Sequence, residues 1–119
     1  MTNKNDLINR FKHYALRIIR LCQSLPNNKI ADVLNRQLLR AGTSVGANYR
    51  AACRGKSTAD FIHKLQIVEE ELDESLYWME LLIDAKIVAE NLLNDLMTEG
   101  DELLSITVSS IKTAKSKSK

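Results

Sequence analysis

One proline and four glycines in 119 residues are too few for a β-sheet protein, which needs turn residues at short intervals. What remains, mostly aliphatic residues, alanine and charges, is the composition of an all-helical chain. Its length suits one domain with a sizeable core. No apolar run is as long as a membrane span, because Asp84 and Lys86 interrupt the most apolar region. The opening stretch MTNKNDLINRF has no apolar signal-peptide segment, so the cytoplasm is the expected compartment. Cys22 and Cys53 do not form a CxxC pair and are expected to be reduced packing residues.

The patterns that carry catalysis are missing as well. Neither His13 nor His63 follows a glutamate by three positions, the spacing with which helical bundles hold paired metals. There is no zinc spacing and no nucleophile–histidine constellation. Gly42 and Gly46 fall within a helical pattern rather than after a strand, so they do not form a phosphate loop. No catalytic residue, cofactor or metal is expected. The run EEELDE at 69–74 is expected to be a solvated acidic face partly paired with basic helices, with Glu71 meeting Asn48 between helices. Tyr77 and Trp78 could stack bases, but amid Leu76, Met79, Leu81 and Leu82 they are expected to be core or interface.

What is present is four amphipathic stretches and a sharp division of charge. Residues 1–56 carry a balance of +9 and residues 57–119 one of −7, giving the overall +2. Basic and acidic helices can neutralise each other as neighbours, and one surface can still attract polyanions. Asn5 or Asp6 can cap a first helix to about Leu25, with Ile8, Phe11, Ala15, Ile18, Cys22 and Leu25 inward. Arg10, His13, Arg17 and Arg20 lie opposite. Pro26 ends this helix, and Asn27 or Asn28 caps a second to about Arg54, closed by a left-handed Gly55. Ser57 with Asp60 resembles a capping box. The third helix runs to about Ala85, with Phe61, Leu65, Val68, Leu72, Leu76, Met79 and Ile83 inward. A fourth starts near Glu90, with Leu92, Leu93, Leu96, Gly100, Leu103, Thr107 and Ile111 inward. Residues 1–115 thus predict one antiparallel up-down-up-down four-helix bundle, and 116–119 a frayed basic tail.

The second helix organises the rest. Leu34, Leu38, Ala41, Val45 and Ala52 form its core stripe. Arg36, Arg40, Arg50 and Arg54 lie opposite, within about 40° of one line. Gly42, Gly46 and Cys53 form a strip of small residues between the two. Two glycines in an exposed helix would cost about 2 kcal/mol relative to alanine, so close approach of another helix is expected there. The third helix has a second apolar strip, Ile67, Trp78 and Leu81, which calls for another partner. A subunit contact is expected at both strips.

The stretches RAGTSVGANYRAACRGKSTADFIHKL and ESLYWMELL resemble bacterial four-helix proteins of the ribosomal RNA intervening-sequence family. These are structurally related to the accessory variability determinant of diversity-generating retroelements. The resemblance covers about residues 7–113, most specifically the pattern Arg40, Ala41, Ser44, Val45, Ala47 and Asn48. This chain has Gly46 where many members have proline. The resemblance implies an antiparallel bundle assembling as a ring, commonly a pentamer, without catalytic activity. For the retroelement protein it implies binding of nucleic acid and of a reverse transcriptase through a basic surface.

Together these predict a non-enzymatic, ring-forming nucleic-acid-binding accessory protein for structured RNA or an RNA-containing complex. Its expected contacts are Arg17, Arg20, Arg36, Arg40, Arg50, Arg54 and Lys56, acting mainly on phosphates. The acidic third helix is expected to compete for some of them, Arg40 above all. The alternative is a protein–protein scaffold whose basic surface docks an acidic partner.

Overall fold

The computed structural model describes residues 3–117, which form four helices and no strand. They are α1 (Lys4–Ser24), α2 (Lys29–Cys53), α3 (Thr58–Asp84) and α4 (Glu90–Lys117). Each helix packs on its neighbour in sequence and α4 returns to α1, while the backbones of the diagonal pairs stay apart and side chains such as Tyr14 of α1 and Ser75 of α3 meet across the centre. The result is the expected all-α antiparallel bundle, 49 × 24 × 21 Å. The α1–α4 side is much the most thinly packed of the four.

Local chemistry places the helix ends. Asn28 caps α2 by accepting from the Ala31 amide at 2.9 Å, and Ser57 caps α3 by accepting from Asp60 at 3.0 Å. Leu25 turns extended ahead of Pro26 and ends α1. Two expected ends differ. Asn3, rather than Asn5 or Asp6, caps α1, and Asp6 supplies the amide it accepts from. Gly55 is not left-handed, since no described glycine has a positive φ. A Cβ there would lie 3.0 Å from the Ala52 carbonyl oxygen, a tight backbone contact, and 2.7 Å from the movable Asp60 carboxylate. At the other end of the chain, α4 includes Ser116 and Lys117, while residues 118–119 lie outside the described region.

The left-handed residue is Lys86, at φ 60°. Its amide donates to Ile83 and that of Ile87 to Leu82, each at 2.9 Å, the paired bonds of a Schellman ending. A side chain at this φ costs roughly 1–2 kcal/mol, part of which glycine would return through greater freedom of the unfolded chain. Lys86→Gly is therefore expected to stabilise the bundle by about 0.5–1 kcal/mol. The urea midpoint should rise with the slope unchanged. A lower midpoint would contradict the left-handed ending.

The core follows the expected stripes with informative exceptions. Tyr14, Tyr49 and Ser75 join it, while Ile8, Ala15, Leu25, Phe61 and Ile83 are only half-buried. The Tyr14 hydroxyl lies 2.8 Å from Ser75 Oγ, which donates onward to the Leu72 carbonyl, so both polar groups are satisfied in the interior. Burial pushes the Tyr14 pKa up to about 12. Gly100 makes the room: a Cβ there would lie 2.8 Å from that hydroxyl. Leu92, expected inside, is 72% exposed. Cys22 is buried and its thiol pushed up to about 11 by burial, which suits a packing residue.

Candidate nucleic-acid interface

The cations of the basic half divide by what they meet. Arg10 is consumed between α1 and α4, half-buried. It donates from Nε and Nη2 to the two oxygens of Glu99, at 3.0 and 2.6 Å, and also pairs with Glu102, tying α1 to α4. The hydrogen bonds it donates to Glu99 raise its pKa and fix its charge. Arg40 is likewise withdrawn. Its guanidinium pairs with Glu71 at 3.1 Å and with Glu74, whose carboxylate also accepts from Trp78 Nε1. Glu71 thus meets Arg40 rather than Asn48, whose amide donates to the Ser44 carbonyl of its own helix.

Arg36, Arg50, Arg54 and Lys56 remain exposed, and none is in an ion pair among the described residues. Helical rise separates Arg36 from Arg50 by about 21 Å and Arg50 from Arg54 by about 6 Å. The ridge is therefore a tight group at the C-terminal end of α2 plus one outlying arginine. Lys12 joins that group from α1. It shares with Arg50 a shallow groove of about 220 Å3, floored by Ile8, Ala15, Thr43, Gly46 and Ala47. The signal for Lys12 was available: it sits one turn from both Ile8 and Ala15, on the flank that the α2 glycines draw close.

Arg17 and Arg20 do not join this face. They line a separate groove of about 410 Å3 between α1 and α4, with Leu21, Ser24, Val88, Leu92, Leu93 and Leu96. The expected interface is thus split, with α1 standing between its two parts.

The small strip also takes a different place. Gly42 is buried, and a Cβ on it would lie 2.3 Å from Ile18 Cδ1, while Gly46 lies over Phe11. The close helix approach exists, but it is α1 of the same chain that approaches. This corrects the placement of buried Gly42 in a subunit contact. Cys53 is half-buried on the same flank. Ile67, Trp78 and Leu81 are half-buried on α3, and Tyr77, stacked edge-on to Trp78, is 51% exposed. The Arg40–Glu71 pair sets the α2–α3 register, which puts Val33 level with Trp78 and Ile30 level with Leu81. Both α2 residues are exposed. They extend the expected apolar strip onto α2.

His13 and His63 are exposed, and among the described residues no group of three His, Cys, Asp or Glu side chains could hold a metal. No described helix is long and apolar enough to cross a membrane.

Fold and surface together define a four-helix bundle protein with open surface grooves and a cationic face that is unpaired among the described residues. The chain belongs to the family of 23S rRNA-intervening sequence proteins, whose model matches residues 3–109. It is also similar to a crystal structure of a protein of unknown function from the S23 ribosomal protein family of Bacteroides thetaiotaomicron. The two share 36% identity over 92% of this chain and 97% of that one, with a TM-score of 0.85. No protein of curated function matches.

Proposed function

We propose that this chain is a non-enzymatic, ring-forming accessory protein that binds structured RNA, or an RNA-containing complex, through Lys12, Arg36, Arg50, Arg54 and Lys56. One observation carries the reading. Arg10 and Arg40 are neutralised by interhelical carboxylates, whereas these five cations, on α1, on α2 and in the turn that follows it, are exposed and enter no ion pair among the described residues. Arginine's planar fork suits phosphate oxygens. No aromatic side chain is interleaved among them, so the contacts are to the backbone, with little reading of bases. Repetition around a ring would turn five cations into a continuous band. A reverse transcriptase or another nucleic-acid enzyme is the kind of complex such a band could join, and the cytoplasm is where it would meet one.

Fluorescence titration with a labelled RNA hairpin, competed by polyglutamate, tests this reading. Saturable binding that unlabelled RNA displaces and polyglutamate of equal charge does not is the expected result. Displacement by both to the same extent would favour a scaffold that docks acidic proteins, and no binding would remove the nucleic-acid reading.

A further inference from the structure

Two surfaces at one end of the bundle remain unexplained by the cationic face. The first is the α1–α4 groove, where the thinnest helix contact leaves Leu92 exposed over an apolar floor and where Arg17 and Arg20 enter no ion pair among the described residues. The second is the outer ridge of α3, where exposed Tyr77 and half-buried Leu81 stand among carboxylates. Glu70, Asp73, Glu80 and Asp84 are all exposed, lie within about 60° of Tyr77 around the helix, and enter no ion pair among the described residues.

Height along the bundle matches the two. Arg17 and Arg20 lie in the last two turns of α1, Leu92 in the first turn of α4, and Tyr77 and Leu81 in the last two turns of α3. In an antiparallel bundle these segments share one end. Their charges differ in sign and each has an apolar centre. Ridge against ridge would set carboxylates on carboxylates, and groove against groove would set arginines on arginines. Of the three ways to pair these two surfaces, only ridge into groove attracts, and like-charge juxtaposition is strongly disfavoured across an interface.

We infer that the Tyr77 ridge of one copy seats in the Arg17–Arg20–Leu92 groove of the next, joining identical chains head to tail. The inference rests on the ring-forming part of the proposed function and supplies the contact it needs. A contact between two different faces is heterologous, and it ends only by closing into a ring. Because both faces lie at the same end, joined copies stand side by side with their long axes aligned. Arg17 and Arg20 then face a neighbouring subunit, and the α1–α2 cations stay on the free surface.

Charge exchange tests it, with mass read by light scattering and helicity by circular dichroism. The wild-type chain is expected to assemble, and Arg17→Glu with Arg20→Glu to weaken assembly by at least about 100-fold, leaving 13.5 kDa monomers. Asp73→Arg with Glu80→Arg should do the same. All four changes in one chain set the two new ridge arginines against the two new groove glutamates, while Glu70 and Asp84 leave the ridge neutral overall; this should restore part of the assembly, a rescue that damage to the fold would not give. Wild-type mass in either double variant, or a monomeric fourfold variant, would overturn the head-to-tail contact and leave ring formation standing. A monomeric wild-type chain would overturn both.

Discussion

Gly42→Ala should destabilise the bundle by about 1–3 kcal/mol, whereas Gly46→Ala, one turn later, should stabilise it by up to about 1 kcal/mol. The residues are identical and share a helix, so intrinsic propensity alone favours alanine at both. Their surroundings differ. A Cβ on Gly42 would lie 2.3 Å from Cδ1 and 2.9 Å from Cγ2 of Ile18, which is fully buried and has nowhere to move. Helices α1 and α2 would have to part. On Gly46 the same atom would lie 3.5 Å from Phe11 Cβ, an ordinary contact that adds packing. Urea unfolding of both variants reads the difference directly. Equal shifts of the same sign would contradict the placement of α1 against α2.

Arg50→Glu combined with Arg54→Glu should weaken RNA binding by about 30-fold or more at physiological salt. Each lost phosphate contact forfeits about five-fold through counterion release alone, and reversing the charge adds repulsion. Among the described residues neither arginine pairs with a carboxylate, and both are exposed, so helicity and assembly should be unaffected. Arg40→Gln makes the contrast. Its guanidinium already serves Glu71 and Glu74, so RNA affinity should hardly change while stability falls by about 1 kcal/mol or less, as for partly exposed pairs. Should Arg40→Gln reduce RNA binding as much as the double change, the division of the cations would be wrong.

Much of this was legible in the sequence because the signals were local. The caps at Asn28 and Ser57, the stop at Pro26 and the four apolar stripes need only spacing and side-chain chemistry. Competition among near neighbours hid the cap at Asn3, since Asn5 and Asp6 can do the same work two or three residues later. Lys86 gave no signal because a left-handed helix ending is marked in a sequence by glycine or asparagine, and here local bonds to Ile83 and Leu82 hold a lysine in that conformation. Tyr14 is buried through Ser75 and Gly100, partners 61 and 86 positions away that no window along the chain brings together. A helical wheel fixed the angular place of Arg17, Arg20 and Arg36 on their own helices. It could not give the side of α1 on which α2 and α4 stand, and that decided which arginines share a face. Arg40 was legible in part, because an acidic third helix follows a basic second one.

The most direct measurement is the salt dependence of RNA binding by the wild-type chain. If Lys12, Arg36, Arg50, Arg54 and Lys56 each neutralise a phosphate, log K should fall against log salt with a slope of about −4 to −5 for a duplex, and less steeply for a single strand. An affinity indifferent to salt would contradict a phosphate-binding cationic face.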